Sequence, residues 1–223
     1  MISPDWDRAV PDIPRWVETR SMLLQEAVTV GTPEGGLVLG RGLDLAGVVG
    51  APDDEILGKA MAMLQPDAEL LVPPESIDHV MRSIPHARAE LAVIHDAPPL
   101  LPMPDDHAVE VRPVDEKDLG WLSCDLAPEA EGARWAAVKP VNGEVVAMCT
   151  AGPITETLWD VGIDTVEGHR RQGYARSCFL TLAEHLSPLS PVWGALDDNQ
   201  ASLAMAASLG FSPIDELWVV TVP

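Results

Sequence analysis

The chain has 223 residues, of which 47% are hydrophobic, 22% charged and 4% aromatic. This composition is typical of a folded globular protein, and it excludes a collagen-like, low-complexity or wholly disordered chain. The 35 acidic residues outnumber the 14 basic ones, so the formal net charge is −21. A surface this negative repels phosphate backbones and anionic lipids, and we therefore expect neither a nucleic acid nor a membrane as a partner.

Targeting features and cysteines favour a cytoplasmic protein. The first residues, MISPDWDR, are neither a basic leader nor followed by an apolar stretch, so we expect no signal peptide. The longest run without a charged residue, 199–214, is too short and too polar to span a bilayer. The three cysteines (Cys124, Cys149 and Cys178) lack the spacing of a metal site and are expected to be reduced, mostly buried thiols. No metal is predicted.

A proline-rich segment divides the chain into two predicted domains. Residues 97–106 (APPLLPMPDD) contain four prolines, which continue neither a helix nor a central strand, so this segment is predicted to be a semi-extended linker. The domain before it, residues 1–96, is predicted to mix helices and strands. Its predicted elements are helices at 14–27, 53–64 and 74–83, and short apolar runs or strands at 27–31, 36–40, 44–50, 69–72 and 88–95. It shows no phosphate-binding loop, metal set or catalytic cluster.

The domain after the linker, residues 107–223, has a clearer pattern. A strand at 108–112 leads through a turn into a short predicted helix within 113–122. The dipeptide Asn142-Gly143 favours a tight hairpin between two of the next strands. The further predicted elements are strands at 134–139, 144–152 and 157–166, a helix at 174–186, a strand at 192–196, a helix at 199–210 and a strand at 216–222. The helix at 174–186 carries a core-facing stripe at every fourth position: Tyr174, Cys178, Leu182 and Leu186.

One segment of this domain suggests anion binding. Residues 160–175 (DVGIDTVEGHRRQGYA) pass from an apolar strand through a loop into a helix. The unpaired N–H groups and the positive dipole end of a helix N-terminus attract a phosphate or pyrophosphate. Gly173 allows the backbone to approach such a ligand closely, and Ala175 leaves the first helical turn unobstructed. Arg170 and Arg171 add positive charge to a chain that has little.

Those residues resemble a known family. Residues 170–175 (RRQGYA) fit the (Gln/Arg)-x-x-Gly-x-(Gly/Ala) acyl-CoA loop of the GNAT N-acyltransferase superfamily. The strand at 160–165 resembles the fourth strand of that family, and residues 109–119 resemble its first strand and turn. Asn199 opens a segment that ends in Leu-Gly-Phe at 209–211, as in the second motif of the family. The resemblance covers about 107–223 and implies a mixed, mostly antiparallel sheet flanked by helices.

The resemblance implies that acetyl-CoA, or another acyl-CoA, binds where the fourth and fifth strands separate. The loop residues implied to contact the cofactor are Arg170, Arg171, Gln172, Gly173, Tyr174 and Ala175. The strand residues implied to pair with the pantetheine arm are Ile163, Asp164, Thr165 and Val166. Asn199 and Ser202 complete the implied cofactor site. Two plainer interpretations remain open: the loop is only a helix entry with surface arginines, and Asn199 is only a helix cap.

Acyl transfer to an amine also requires a base, because an alkyl ammonium has a pKa of roughly 10 and only the neutral amine attacks. Alternation along the strand places Asp160 and Asp164 on one face. Asp160 stands where many members of the family have a glutamate base, so it is the first candidate, with a bridging water because its side chain is shorter. Asp164 is the second candidate and His169 a distant third. An ordinary solvated or ion-paired carboxylate is the alternative for Asp160.

The sequence also departs from the family pattern. Ala206 stands where many members have a tyrosine that protonates the leaving thiolate. Ser202, Ser208 or water could replace that acid, and a thiolate with a pKa of about 8.5 can leave without one. We favour direct attack over a cysteine acyl-enzyme, because Cys178 lies on the core stripe and neither other cysteine has a histidine near it in sequence.

These observations predict an N-acetyltransferase that moves an acetyl group from acetyl-CoA to a primary amine of a small molecule or peptide. A non-catalytic acyl-CoA-binding or sensing protein is the alternative that Ala206 suggests, and a purely structural interaction protein is a third. The N-terminal half is interpreted either as a diverged GNAT-like copy without the cofactor loop or as a domain that shapes the acceptor site. A homodimer is a possible assembly.

Overall fold

The structure is a computed structural model that describes residues 2–104, 108–115, 117, 119–123 and 125–223. Contacts between residues divide the chain into two compact units. The first comprises Met1–His95, Gly194–Leu203 and Pro213–Pro223, and the second comprises Asp96–Trp193 and Ala204–Ser212. The division near residue 96 lies close to the predicted start of the linker. The sequence analysis, however, assigned all of 107–223 to one domain, whereas two C-terminal segments group with the first unit.

The first unit begins with helices and continues with alternating strands and helices. Its elements are α1 (Pro4–Ala9), a 3₁₀ turn (Pro14–Trp16), α2 (Val17–Leu24), β1 (Val28–Thr32), β2 (Gly35–Leu39), β3 (Leu45–Gly50), α3 (Asp54–Met61), β4 (Glu69–Val72), α4 (Ile77–Ser83) and β5 (Arg88–Asp96). The strands and helices lie close to their predicted positions. The helix predicted over 14–27 starts as a 3₁₀ turn and ends at Leu24, and α1 was not predicted.

The sheet of the first unit explains why the end of the chain belongs to it. Strands β1, β2 and β3 form an antiparallel meander, and β4 pairs parallel to β3. The last strand, β11 (Ser212–Thr221), lies antiparallel against β4, with Trp218 opposite Val72. The resulting core contains fully buried aliphatic side chains from both the N-terminal strands and β11, among them Leu37, Leu70 and Val220.

The second unit contains the hairpin and the strand–loop–helix segment. Its elements are β6 (Glu110–Pro113), a 3₁₀ turn (Pro128–Ala130), β7 (Trp135–Val141), β8 (Glu144–Ile154), β9 (Leu158–Thr165), a 3₁₀ turn (Glu167–His169), α5 (Tyr174–His185), β10 (Ser190–Leu196) and α6 (Gln200–Ser208); β10 and α6 each continue across the boundary between the units. Asn142 and Gly143 both have positive φ, 53° and 88°, as a two-residue hairpin turn requires.

The short helix predicted within 113–122 is wrong for the residues that the structure describes. Those residues form the end of β6 and then turns, while Glu116 and Asp118 lie outside the described residues. Trp121 places its ring 4.7 Å from the guanidinium carbon of Arg112 on β6, and Leu119 and Leu122 pack against the apolar cluster beneath the sheet. These tertiary contacts hold the segment as a folded-back loop.

The sheet of the second unit is mixed and mostly antiparallel, as the resemblance implied. Strands β6 to β9 follow one another in antiparallel pairs, and β10 runs parallel to β9. On one face, α5 contributes Phe179, whose ring packs against those of Trp159, Trp193 and Phe211. On the other face, Leu126 and its neighbours cover β7 and β8. Strand β9 therefore lies between two packed layers.

Candidate functional site

The two faces of β9 alternate as predicted. Trp159, Val161 and Thr165 are buried, and Ile163 between them is half-buried. On the opposite face Asp160, Gly162 and Asp164 are half-buried and follow the buried Leu158. The strand thus presents an apolar face to α5 and a face with two carboxylates to the other layer.

Strands β9 and β10 pair over three residues only. The register joins Ser190 to Leu158, Pro191 to Trp159 and Val192 to Asp160, and no further pair joins these two strands in the described part of the chain. Strand β9 nevertheless continues to Thr165, where it still pairs with Ala147 of β8. The edge of β9 beyond Asp160 can therefore accept an extended ligand in place of a strand.

Some residues implied to pair with such a ligand already use their backbone groups in hydrogen bonds within the protein. The N–H group of Val166 donates to the carbonyl of Val146, and the carbonyl of Val166 accepts from the N–H group of His169 at 2.8 Å. Both backbone groups of Val166 are therefore engaged within the protein, because the chain already turns into the loop there. Thr165 is engaged in the same way, because its N–H group donates to Oδ1 of Asp164 at 2.6 Å and its carbonyl accepts from Nε of Arg170 at 3.1 Å. We restrict the pairing segment to residues 163 and 164.

The loop between β9 and α5 has the backbone geometry of an anion site. Gly173 has a φ of 81° and is the residue before α5, where it has no side chain to cap the helix. No described atom lies within 4 Å of the position that a Cβ of Gly173 would take. The first N–H groups of a helix have no partner within that helix, and a left-handed residue followed by a right-handed one makes neighbouring N–H groups converge. The space beside the Cα atom of Gly173 is open.

The two arginines of the loop have different environments. Arg170 donates from Nε to the carbonyl of Thr165 at 3.1 Å, and its terminal nitrogen lies 4.0 Å from the Asp164 carboxylate. Arg170 thus fastens the loop to the end of β9. Arg171 is exposed and has a φ of 60°, a conformation that few residues other than glycine adopt. Gln172 is exposed beside it.

Tyr174 and Ala175, the first residues of α5, are both half-buried. The Tyr174 ring lies 5.6 Å from Nζ of Lys139 on β7 and 6.5 Å from the imidazole of His169. Tyr174 therefore contributes its backbone to the loop while its ring packs against the sheet. Lys139, 8% exposed, is a residue that the sequence analysis missed, although a lysine within the apolar strand AAVKPV was a visible signal.

Asp160 lies where β9 and β10 separate, and its pKa is raised. It belongs to the last pair that joins β9 to β10. Burial desolvates its carboxylate and raises its pKa from 3.8 to about 7, against the smaller opposing effect of a hydrogen bond from the Val161 N–H group. A carboxylate with a pKa near neutrality accepts protons effectively at physiological pH. Asp164, by comparison, accepts a hydrogen bond from the Thr165 N–H group at 2.6 Å.

A second residue missed from the sequence shares the face of Asp160. Thr150 of β8 lies opposite Gly162 in the register. Its side chain occupies the space next to the bare Cα, because a Cβ on Gly162 would lie 2.2 Å from Oγ1 of Thr150. Only the register between β8 and β9 reveals this pairing, so no signal in the sequence could have found it.

The other candidate residues, where their contacts are described, bond to or pack against other parts of the protein. Asn199 accepts a hydrogen bond on Oδ1 from the Ser202 N–H group at 3.1 Å, which is the contact of a helix cap. Ser208 donates to the carbonyl of Met205 at 2.8 Å. Ala206, where a tyrosine acid was expected, is fully buried. A role of Asn199 or Ser202 in cofactor binding stays a prediction.

The cysteines fit the expectation of buried thiols as far as they are described. Cys149 and Cys178 are fully buried, and burial raises the pKa of the Cys149 thiol well above its ordinary value. A thiol that resists ionisation is a poor nucleophile. Cys124 lies outside the described residues. Among the residues that the structure describes, no three histidine, cysteine, aspartate or glutamate side chains group as a metal site, and no helix is both long and apolar enough to cross a membrane.

Comparison with known proteins identifies the second half of the chain. Residues 137–219 match the family model described as GNAT acetyltransferase. This region is therefore similar to GNAT acetyltransferases. The match contains β9, the loop and α5, so the motif and the geometry described above fall within the matched region. No curated protein sequence matches the chain.

Solved structures extend the similarity to nearly the whole chain. A GCN5-related N-acetyltransferase-like protein from Streptococcus suis 89/1591 is 17% identical with a TM-score of 0.69, over 97% of this chain and 96% of that one. A putative acetyltransferase of the GNAT family from Novosphingobium aromaticivorans DSM 12444 is 18% identical with a TM-score of 0.66, over 94% and 96%. A tandem GNAT protein from the clavulanic acid biosynthesis pathway is 13% identical with a TM-score of 0.52, over 100% and 96%. At these identities the similarity shows the fold.

Proposed function

We propose that the protein is an N-acetyltransferase that moves an acetyl group from acetyl-CoA to a primary amine. The observation that carries the proposal is the end of β9. There the strand parts from β10 at Asp160 and runs into a loop whose glycine leaves the start of α5 open. Along this segment a carboxylate, a strand edge and an anion site follow one another. In the proposal they meet the thioester, the pantetheine arm and the pyrophosphate of acetyl-CoA, respectively.

The backbone of this segment supplies the cofactor contacts in the proposal. The pyrophosphate lies on the N–H groups of residues 171–175, where the helix dipole and Arg171 favour its negative charge. The pantetheine arm pairs with residues 163 and 164 along the edge that β10 leaves uncovered. Arg170 acts indirectly, since its hydrogen bond to Thr165 holds the loop against the strand. A cofactor contact of Asn199 or Ser202 remains a prediction from the resemblance.

Asp160 is the proposed base. Its ionised carboxylate accepts a proton from the ammonium group of the acceptor, directly or through a water molecule, and leaves a neutral amine. The amine nitrogen then attacks the thioester carbonyl, a C–N bond forms, and the C–S bond breaks. The attacking nitrogen loses its second proton as the amide forms, and that proton passes through water to the departing thiolate, whose pKa of about 8.5 lets it leave without a tyrosine acid. Asp164 is the alternative base on the same face.

The acceptor is proposed to be a small molecule or peptide with a primary amine. The net charge of −21 raises the local concentration of cations and so favours an acceptor that arrives protonated. The same charge disfavours acceptors attached to nucleic acid or to anionic lipid.

A non-catalytic acyl-CoA-binding or sensing protein is the second candidate, and Ala206 is the observation that favours it. The position where a tyrosine acid was expected holds a fully buried methyl group. A protein that binds an acyl-CoA without turning it over needs no such acid. Release of free thiol from acetyl-CoA, measured across a panel of amines, separates the two candidates: amine-dependent release supports the enzyme, and binding without release supports the sensor.

Cofactor binding is tested first, by isothermal titration with acetyl-CoA. Gly173→Val fills the open space before α5, so we expect the affinity to fall at least tenfold. Gly143→Val is the matched control, because Gly143 also has a positive φ, 88°, and no described atom within 4 Å of its Cβ position. Both variants carry the same backbone strain, and only the first touches the loop. Equal affinity of the two variants would place the pyrophosphate elsewhere.

A further inference from the structure

The first unit repeats the element order of the GNAT-like region. The same order of elements occurs twice along the chain: an antiparallel three-stranded meander, a helix, a strand parallel to the third strand of the meander, and a second helix. These are β1–β3, α3, β4 and α4 first, and β7–β9, α5, β10 and α6 second. The agreement extends to the register. Strand β4 pairs with β3 at three positions, ending at Gly47 opposite Leu71, while β3 continues to Gly50. Gly47 therefore corresponds to Asp160.

The helix that corresponds to α5 begins differently. Asp53 caps α3, with Oδ1 accepting a hydrogen bond from the Ile56 N–H group at 2.8 Å, and Asp54 and Glu55 follow in the first turn. Three carboxylates thus surround the start of α3. They satisfy the helix dipole and repel a phosphate group. By contrast, α5 follows two arginines and a glycine and has no acidic residue in its first turn.

The strand edge that corresponds to the pantetheine site is also occupied. The carbonyl of Gly50, at the end of β3, accepts a hydrogen bond from Oγ of Ser76 at 2.8 Å. Ser76 is 5% exposed and follows β4, so its side chain crosses from β4 to the end of β3, where the two strands have separated. The position of the base is filled as well, because Oγ1 of Thr19 lies 2.2 Å from where a Cβ of Gly47 would be.

We propose that the first unit is a second copy of the GNAT fold whose coenzyme position is closed by the side chains of the chain itself. Asp53 occupies the phosphate end, Ser76 the strand edge, and Thr19 the position of the base. The first unit then binds no coenzyme A, and the full chain holds a single molecule in the second unit. The location of that molecule rests on the proposed function, whereas the closure of the first unit rests on its own hydrogen bonds.

Titration of the full-length protein with acetyl-CoA tests this closure through the number of sites. We expect one site per chain, and Gly173→Val should weaken it at least tenfold. Hydrogen exchange gives a second readout that needs no variant: acetyl-CoA should slow exchange of the amides at 171–176 and leave those at 53–57 unchanged.

The outcomes separate the two proposals. Two sites in the unmodified protein, or protection of 53–57, would overturn the closure and leave the transferase proposal standing. One site that Gly173→Val does not weaken, with protection of 53–57, would overturn both. No binding at all would overturn the transferase proposal and agree with a closed first unit. Asp53→Asn keeps the cap but removes its charge, and it should change neither the number of sites nor the affinity.

Discussion

Replacement of Asp160 by asparagine tests whether burial has prepared this carboxylate to act as a base. The variant keeps the size of the side chain and removes its ability to ionise. The folded protein holds the pKa of Asp160 at about 7, against an ordinary value of 3.8. Between these two values the folded state binds a proton that the unfolded state has lost, so the contribution of Asp160 to stability falls as the pH rises. Above pH 7 the ionised carboxylate of Asp160 lowers the free energy of unfolding by a constant amount.

A pKa raised from 3.8 to about 7 lowers the free energy of unfolding by at most roughly 4 kcal/mol. We therefore expect Asp160→Asn to match the unmodified protein near pH 4 and to exceed its free energy of unfolding by about 2–4 kcal/mol at pH 8. Urea unfolding of both proteins at each pH measures this difference, and all other carboxylates cancel in the comparison. Glu144→Gln, at an exposed position on β8, should produce no comparable pH-dependent gain.

The same variant should lose activity while it gains stability. With acetyl-CoA and a responsive amine, turnover by Asp160→Asn should fall at least a hundredfold, the lower range for general base catalysis, with little change in acetyl-CoA affinity. In the unmodified protein, kcat/KM should rise with pH through about 7, as Asp160 ionises. A stability difference that does not depend on pH would refute the claim that the fold desolvates Asp160. Full turnover in the variant would exclude Asp160 as the base and turn attention to Asp164.

Three further substitutions follow from individual contacts. Asn199→Ala should cost about 1 kcal/mol of unfolding free energy through the lost cap, whereas Asn199→Asp should keep the cap; weaker acetyl-CoA binding in the aspartate variant alone would assign the Asn199 amide to the cofactor. Gly162→Ala should destabilise the protein by about 1–3 kcal/mol because its methyl group meets the Thr150 hydroxyl, and Thr150→Ala should relieve part of that loss; purely additive effects in thermal unfolding would contradict the contact. Asp53→Ala should cost about 1 kcal/mol in the first unit without loss of acetyl-CoA affinity, and a stability equal to that of the unmodified protein would argue against the cap.

Several elements could be predicted because their signals are local. The Asn142-Gly143 turn, the alternation along β9 and the helix that begins near residue 53 depend on residues that are neighbours in sequence, and the structure has all three. Helix α1 was missed although Ser3 and Pro4 form a reasonable start signal. The short helix predicted within 113–122 was wrong for the described residues, because contacts with β6 and with the apolar cluster outweigh local preference.

The candidate site was predictable in part for the same reason. The loop and its glycine are contiguous in sequence, so the motif at 170–175 could be found without coordinates. The engagement of Val166 in bonds to Val146 and His169 could not, because it depends on how the chain turns at the end of β9. Lys139 and Thr150 likewise reach the site from neighbouring strands whose register the sequence does not give.

The amino-acid order by itself determined that the chain folds as a mixed α/β protein, that a strand, a glycine loop and a helix follow one another near residue 170, and that two carboxylates share one face of that strand. Each of these depends on backbone preference or on a period of two residues, which act over a few positions. Only the tertiary structure decided that β11 pairs with β4, that β9 and β10 part at Asp160, and that burial raises the pKa of Asp160. Strand pairing and desolvation depend on residues far apart in the chain, and these come together only when the sheets and the layers that cover them have formed.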